Sequence, residues 1–528
     1  MFRPKEHLGM DLARRVKFLE YNVIVKSWKK SKLKIALCYP NIYRAGMTGL
    51  TVQQLYYLFN LDDDVLCERC FLSNPPRTIE SCAELKSFDV VAFTLQYEED
   101  YINMVKMLID AGINPLAERR NEADPLVIAG GQAVSANPLP LSKIVDCVFV
   151  GELEPCLDVL LEALKKGKNR KSRIEELSNL KHIYYYGKEK AERCIAKDLD
   201  KTPHILAQLA PGNGDVPIDP IFTNAFCLEV SRSCNRKCRF CLLSWTNGPL
   251  RFRSLNKIKE LLDEGLLRSK ADRVVLIGAG IFDVPWLKDI CAEVLSRGLG
   301  LSIPSLRPDV IDDELLEFIK RGGQRSLALG VESFSSIDRA FLGKVYDDEA
   351  IESAIKMAID KGLTEVKLYI ITCLPREDVD GSAKLFERII KIVSKSKVAL
   401  HISVNPLIPK AHTPFQWLTP PSPYMIKESY RKYLRIFRHP RVRLDFLNPH
   451  RAAFQAILSL GDENLGPYLV DLAKRGLKSW SFMVKVLPKV SLEPGAQTPW
   501  DVIDVGYDRK VLLKSFEEAM SLISNKLA

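Results

Sequence analysis

The sequence has no long hydrophobic run and few histidines. No apolar stretch reaches the roughly 18 residues of a membrane-spanning helix, so no transmembrane segment is predicted. Residues 1–34 are polar and basic and lack the apolar core of a signal peptide, and we therefore expect a cytoplasmic protein. The 528 residues contain seven histidines, with none between His204 and His401, which limits the histidine ligands available to a metal.

Thirteen cysteines in a chain of this length do not indicate a disulfide scaffold. Without an export signal we expect reduced thiols, and a tight cluster of them indicates metal binding. The net charge is only +10, but basic residues are concentrated in three runs, at 26–34, 165–173 and 431–443. They are either solvated faces or docking surfaces for a nucleic acid such as RNA, an anionic lipid surface or an acidic partner.

The first part of the chain predicts a doubly wound α/β domain. Apolar strands alternate with helices there, with strands near 33–39, 89–95, 126–129 and 147–150 and helices near 101–111 and 155–164. This alternation predicts a parallel sheet, and we assign residues 1–200 to a Rossmann-like domain with an N-terminal extension. Ligands of such sheets bind beyond the carboxyl ends of the strands.

A second α/β series follows a linker. Residues 201–222 carry four prolines and two glycines, which predicts a surface connector. Residues 223–420 predict a partial (β/α)6 parallel barrel, with strands near 226–231, 273–277, 300–304, 326–331, 365–371 and 398–404. Residues 421–528 predict a mostly helical extension. We expect it to pack on the outside or bottom of the barrel.

Cys234, Cys238 and Cys241 form a CxxxCxxC motif directly after a predicted strand. Soft thiolates at this spacing suit an iron–sulfur cluster or zinc. Three thiolates can hold three irons of a cubane and leave the fourth iron open to a small molecule. A structural zinc site needs a fourth ligand, and the nearby Cys227 lies within the preceding strand. The motif therefore favours a cluster.

The segment 229–241, EVSRSCNRKCRFC, resembles the signature of the radical S-adenosylmethionine (SAM) superfamily. The resemblance implies a [4Fe-4S] cluster on Cys234, Cys238 and Cys241, whose open iron chelates the methionine part of SAM. Reductive cleavage of SAM would then give a 5′-deoxyadenosyl radical, chemistry that the cofactor supplies and the protein positions. An electron donor such as ferredoxin or flavodoxin is the implied partner.

The resemblance also implies residues that contact SAM. Phe240 matches an aromatic position beside adenine, and Gly278 and Gly280 match a turn that contacts the methionine amino group. Close backbone approach is the physical reason for glycine there. Further contacts are expected at strand ends, from Arg307, Glu332 and Ile371. For the arginine and the glutamate, a salt bridge or a capping role is the alternative.

The first domain resembles the cobalamin-binding-like domain that is fused to many radical enzymes. The matching segments are 39–47 (YPNIYRAGM), 129–138 (AGGQAVSANP) and 150–152 (VGE). The usual Asp-x-His-x-x-Gly loop, whose histidine is the lower cobalt ligand, is missing, because no histidine lies between His7 and His182. Either cobalamin binds without a protein histidine, or the domain only caps the barrel.

A cap is expected in either case, because a radical must be kept from water. We expect the loops at 39–47 and 130–138 to face the cluster. The segments 405–417, which contains His412, and 499–506 resemble one poorly characterised branch of the group. His412 could transfer a proton or contact substrate, although its proline-rich setting also suits a rigid turn.

The resemblance implies an enzyme that modifies an unactivated carbon by methyl transfer or carbon–carbon bond formation. The substrate could be a lipid, a nucleotide or a peptide. One alternative is an RNA-modifying methylthiotransferase with a second cluster on N-terminal cysteines. Cys67 and Cys70 form a CxxC, which we place in a loop after the first helix. The other alternative is a non-catalytic, zinc-bearing RNA-binding protein.

Overall fold

The computed structural model describes residues 20–211, 224–475, 480–486 and 492–524. The first domain is built on a six-stranded sheet with the order β2-β1-β3-β4-β5-β6, in which only β6 is antiparallel to its neighbour. The strands are β1 (Leu33–Tyr39), β2 (Val65–Phe71), β3 (Val90–Thr94), β4 (Leu126–Gly130), β5 (Cys147–Phe149) and β6 (Ile183–Tyr184).

Helices cover both faces of this sheet, since separate apolar clusters lie on its two sides. Strands that are buried on both faces read as continuous apolar runs, as in the sequence LVIAG of β4. The helices are α1 (Tyr43–Met47), α2 (Leu50–Leu61), α3 (Asp100–Asp110), α4 (Gln132–Ala136), α5 (Leu157–Lys166) and α6 (Arg170–Ser178).

Strand β2 corrects one prediction, because Cys67 and Cys70 lie in a buried strand and not in a loop. The two charged residues between these cysteines, Glu68 and Arg69, prevented the sequence pattern from indicating a strand. Arg69 is fully buried and pairs with Glu20 and Glu80 at 2.6 Å each. The partners make burial of the charge tolerable, but they come from distant positions that a local pattern does not reveal.

The second domain is an open parallel barrel. It contains β7 (Ala225–Glu229), β8 (Arg273–Ile277), β9 (Gly300–Ser302), β10 (Ser326–Glu332), β11 (Glu365–Thr372), β12 (Ala399–Pro406) and β13 (Val442–Phe446). The first three form one sheet and the last four form another, joined by a parallel bridge between Leu306 and Leu329. The described strands do not close into a full barrel. The six predicted strands are present, each end within two residues of its prediction.

The barrel helices alternate with these strands. They are α7 (Leu242–Thr246), α8 (Leu255–Arg268), α9 (Leu287–Ser296), α10 (Asp313–Arg321), α11 (Ser336–Leu342), α12 (Asp348–Asp360) and α13 (Val379–Val393). The tail adds α14 (Pro423–Ile436), α15 (Pro449–Ser459), α16 (Leu465–Lys474), α17 (Trp480–Val486) and α18 (Arg509–Ser524). No helix in the described ranges is long and apolar enough to cross a membrane.

The tail corrects a second prediction, because it does not simply cover the outside or bottom of the barrel. Strand β13 adds a seventh strand to the barrel, next to β12. Helices α15 and α16 pack into the apolar core of the first domain, where Phe454 and Leu469 are fully buried. The amphipathic pattern showed that each helix has an apolar face but not which domain would cover it.

The linker corrects a third prediction, that residues 201–222 form a surface connector. Within its described part, Ile205 and Gln208 are 1% and 2% exposed. The side chain of Gln208 bonds both backbone groups of Cys227, accepting from N at 2.8 Å and donating to O at 2.7 Å. Residues 201–210 are therefore built into the domain boundary, and the remainder of the predicted linker, at 212–222, lies outside the described residues.

Candidate active site

A cavity of about 800 Å³ lies between the two domains. From the first domain it is lined by residues at the carboxyl ends of β3, β4 and β5. From the barrel it is lined by Ser231, Ser233 and Gly278, which follow β7 and β8. Both sheets therefore present their carboxyl ends to the same space, which is where parallel α/β sheets bind ligands.

One of the two predicted capping loops faces the cluster loop. Gln132 donates to the hydroxyl of Thr246 at 2.7 Å, which joins the 130–138 loop to the helix after the cysteines. Gly131 has φ of +110°, and a Cβ there would lie 2.5 Å from the carbonyl oxygen of Leu95, so the turn requires glycine.

The structure does not place the 39–47 loop at the cavity. This segment does not line the cavity; the neighbouring Gly49, Leu50 and Thr51 do so instead. Tyr43 packs edge-on against Phe71, with ring centroids 5.1 Å apart. The segment is held inside the first domain by this packing, which its sequence motif did not indicate.

The cluster loop turns sharply and is held from several sides. Ser233 and Lys237 have φ of +69° and +51°, which curls the chain around Cys234 and Cys238. Trp245 donates from its indole nitrogen to the carbonyl oxygen of Cys238 at 3.0 Å. Lys237 also contacts the hydroxyl of Tyr507 from the tail. The loop is therefore supported by its own helix and by the C-terminal region.

Two of the three motif thiols are buried, and the three sulfurs do not lie at a single point. Cys234 and Cys238 are 8% and 7% exposed, and burial raises the pKa of Cys238 to about 12, so cationic metal is needed to stabilise the thiolate. Within the described ranges, the group of metal-ligand atoms lying within 4.8 Å of one another is elsewhere, at Cys156, His182 and Cys194. The motif cysteines thus do not converge on one point, and a cubane takes one thiolate per iron.

The predicted glycine turn packs against the cluster loop. A Cβ on Gly278 would collide with Ser231 Oγ, and one on Gly280 would lie 2.9 Å from the carbonyl oxygen of Ser233. Ser231 Oγ is buried beside the cavity and has no hydrogen-bond partner in the described part of the chain. A polar atom in this position is available to a cofactor.

Arg307 and Glu332 are engaged in ion pairs close to Cys238. Arg307 donates twice to Asp309 at 2.9 Å, and Lys344 donates to Glu332 at 2.8 Å. Glu332 lies in a bulge with φ of +67°. Arg307, Glu332 and Lys344 all act electrostatically on the Cys238 thiol. Sequence reasoning missed Lys344, which no motif marks.

Phe240 and Ile371 meet in one apolar cluster with buried Trp245 and Phe415. These two predicted adenine contacts come from separate strands and loops, so the structure brings together residues that are 131 positions apart in the chain. The surroundings are aromatic and suit a flat heterocycle. Cys373 is half-buried and packs against the barrel core.

An ion-pair network joins the two domains at the cavity wall, and sequence reasoning missed it. Arg232, within the signature segment, pairs with Glu229 and Glu154 at 2.7 Å each and with Glu152 at 3.1 Å. Arg251 pairs with Glu152 at 2.8 Å. One indication of this network was available in the sequence, because an arginine beside the cysteines needs acidic partners if it is buried.

His412 lies outside the large cavity, in a turn with φ of +57°. It is 5% exposed, and burial lowers its pKa to about 4. Its backbone N–H donates to Gln416 at 3.0 Å, which also accepts from the indole of Trp500 at 2.8 Å. This setting matches the rigid-turn interpretation.

Of the predicted site residues, all of which are within the described ranges, only Gly278 lines the cavity, and Cys67, Cys70 and the third basic run also lie away from it. Cys67 and Cys70 belong to apolar clusters on opposite faces of the first sheet, so the two thiols cannot share one metal. The third basic run is exposed on α14, on β13 and on the loop between them, and none of its charged residues lines the cavity.

Comparison with protein families gives two matches. Residues 51–185 match the model described as radical SAM proteins, N-terminal, and residues 228–389 match the radical SAM superfamily. An uncharacterized protein of Methanocaldococcus jannaschii is 31% identical over 435 residues, covering 82% of this chain and 90% of that protein. An uncharacterized methyltransferase of Pyrococcus horikoshii is 25% identical over 344 residues, covering 59% of this chain and 70% of that protein.

Two solved structures share the fold. The radical SAM methyltransferase TsrM from Kitasatospora setae has a TM-score of 0.54 at 12% identity, over 85% of this chain and 98% of that one. The cobalamin-dependent SAM radical enzyme OxsB has a TM-score of 0.50 at 13% identity, over 94% of this chain and 79% of that one. With its cysteine motif, its open barrel and these matches, the chain belongs to the radical SAM superfamily, whose cofactors are a [4Fe-4S] cluster and SAM.

Proposed function

We propose that this protein is a cobalamin-dependent radical SAM enzyme that transfers a methyl group to an unactivated carbon of its substrate. The observation that carries the proposal is the cavity of about 800 Å³ shared by the carboxyl ends of both sheets. Its size falls within the range of sites for cofactors and drug-sized ligands. The fold shared with TsrM and OxsB supports the same arrangement.

The proposed roles of the barrel residues follow from their positions. Cys234, Cys238 and Cys241 hold the cluster. Phe240 and Ile371 provide the apolar contact for adenine. Gly278 and Gly280 are proposed to let the backbone come close to SAM. Arg307 and Glu332 are proposed to place charges beside Cys238. Together, the cluster, SAM and cobalamin supply the electron-transfer and methyl-transfer chemistry. A donor such as ferredoxin or flavodoxin would deliver the electron.

The first domain is proposed to hold cobalamin on the other side of the cavity. Gly130 and Gly131 let the backbone approach a ligand closely, and Thr94 and Ser135 supply hydroxyls beside them. None of the described residues that line the cavity is a histidine. The proposal therefore includes cobalamin without a protein histidine on cobalt.

The test of function is anaerobic turnover of the reconstituted protein with SAM, a reductant and cobalamin. We expect 5′-deoxyadenosine and S-adenosylhomocysteine by mass spectrometry.

Gly49→Trp should lower cobalamin retention at least about tenfold, roughly 1.4 kcal/mol, and suppress S-adenosylhomocysteine. A Cβ on Gly49 meets nothing within 4 Å, and the residue lines the cavity, so the indole enters open space.

Leu267→Trp is the matched control, because Leu267 is 88% exposed on the barrel surface and should leave both products unchanged. Iron content should be equal in all three proteins. Formation of S-adenosylhomocysteine without cobalamin, or equal cobalamin retention in Gly49→Trp and wild type, would contradict the proposed use of the cavity.

The cobalt coordination gives a second prediction. Electron paramagnetic resonance of the Co(II) form should lack superhyperfine splitting from a protein nitrogen, because the described cavity lining has no histidine. Wild type and the His182→Ala variant should give the same spectrum. A natural-abundance nitrogen triplet that persists after isotopic labelling of the cofactor nitrogens would identify a protein ligand and refute this point.

A further inference from the structure

Two cysteines and a histidine meet in the first domain, away from the cluster loop. One ligand atom each of Cys156, His182 and Cys194 lies within 4.8 Å of the other two. The sulfurs of Cys156 and Cys194 are 2.6 Å apart. The three residues come from separate segments: a turn after β5, the residue before β6 and the chain beyond β6. Folding has therefore assembled a set of soft donors that the sequence does not show.

His182 has one ring nitrogen available to a metal. His182 Nδ1 lies 2.8 Å from the carbonyl oxygen of Glu192. A carbonyl oxygen only accepts, so Nδ1 carries the proton and Nε2 keeps its lone pair. A backbone carbonyl on one ring nitrogen is the usual second contact of a metal-bound histidine.

We propose that Cys156, His182 and Cys194 form a second metal site, which binds one Zn²⁺ separately from the cluster cysteines. Two thiolates and an imidazole suit zinc rather than magnesium or calcium. Cys156 and His182 are only half-buried, so solvent water can complete four-coordination. Tetrahedral zinc with bonds of about 2.3 Å holds two sulfurs about 3.8 Å apart. Binding therefore separates the two thiols.

The site would stabilise the segment that joins the domains. Cys194 donates from its backbone N–H to Val150 and accepts from Glu152, both at 2.9 Å. Glu152 in turn pairs with Arg232 of the signature segment. Zinc on the two cysteines and His182 would connect the segment around Cys194 to the turn that carries Glu152. With three protein ligands and one water the site is of the open type, and we assign the metal no part in SAM cleavage.

Metal content of the cluster-loaded protein with both domains tests the site. Anaerobically purified wild type should contain about one zinc per chain in addition to iron, the stoichiometry of a single-ion site. Cys156→Ser and Cys194→Ser should lose nearly all the zinc and keep the iron. Cys82→Ser is the matched control, since Cys82 is another half-buried thiol of this domain, and should keep both metals.

Cobalt titration of zinc-free wild type makes the test independent of variant folding. Co²⁺ should give visible d–d bands and a thiolate charge-transfer band, and Zn²⁺ should abolish both. The absence of these bands, or zinc content unchanged in both serine variants, overturns the proposal. A Cys156–Cys194 disulfide in the anaerobically purified protein also overturns it, because oxidised sulfur does not ligate zinc.

Discussion

Replacing Cys234, Cys238 or Cys241 with alanine is expected to abolish cluster assembly and all SAM cleavage. Each thiolate would hold a different iron of the cubane, so no remaining residue can take over the lost position. The loop is largely buried around Cys234 and Cys238, which also restricts substitution by an external thiol. Iron and sulfide analysis after anaerobic reconstitution, together with the visible absorbance of the cluster, measures the effect.

Cys291→Ala is the matched control for this series. Cys291 is a fully buried thiol of the same barrel and packs in its apolar core. Its loss should reduce stability slightly and leave iron, sulfide and 5′-deoxyadenosine formation intact. Full iron and sulfide content in any one of the three motif variants would show that the motif does not hold the cluster.

Arg232→Met is expected to destabilise the folded protein by about 3–5 kcal/mol, the cost of removing one partner from a buried ion pair. The Arg232 side chain is 15% exposed, and the substitution leaves the carboxylates of Glu152, Glu154 and Glu229 without this cation. Because the network joins the two domains, the loss should appear as earlier unfolding in urea and as faster proteolysis between them.

Arg388→Met is the comparison for this prediction. Arg388 also pairs with two carboxylates, those of Asp348 and Glu352, but its side chain is 46% exposed. A solvent-exposed pair contributes about 0–1 kcal/mol. If the two variants unfold at the same urea concentration, the Arg232 network does not stabilise the domain boundary.

Arg232 belongs both to the ion-pair network between the domains and to the active-site cavity. It lies two residues before Cys234 in the signature segment and lines the cavity. Its partners Glu152 and Glu154 belong to the first domain, next to the proposed zinc site. The same side chain therefore contacts the first domain and belongs to the segment that carries the cluster cysteines. A screen for substrates should use protein that contains both domains.

The strands could be predicted wherever their own residues carried the signal. Segments such as VVAFT in β3 and RVVLI in β8 are apolar runs of strand length, and burial on both faces explains the pattern. Strand β13 was missed because VRLDF alternates with charged residues and lies at an edge. In β2, Arg69 concealed a strand whose neutralising partners are distant in sequence.

The sequence alone indicated the cofactors of this protein, a [4Fe-4S] cluster and SAM. The spacing of Cys234, Cys238 and Cys241 indicates a cluster because three nearby thiolates leave one iron open, a property of local covalent geometry. The alternation of strands and helices determined the two α/β domains in the same local way. The absence of a histidine from the expected cobalamin loop was also visible in the sequence.

Only the tertiary structure decided how these parts meet. The cavity, the network around Arg232, the placement of α15 and α16 on the first domain and the contact of Tyr507 with the cluster loop all join residues distant in sequence. The same holds for Cys156, His182 and Cys194. The physical reason is that burial and charge pairing depend on which surfaces face each other in space. Local periodicity shows that a helix has an apolar face, and packing decides what covers it.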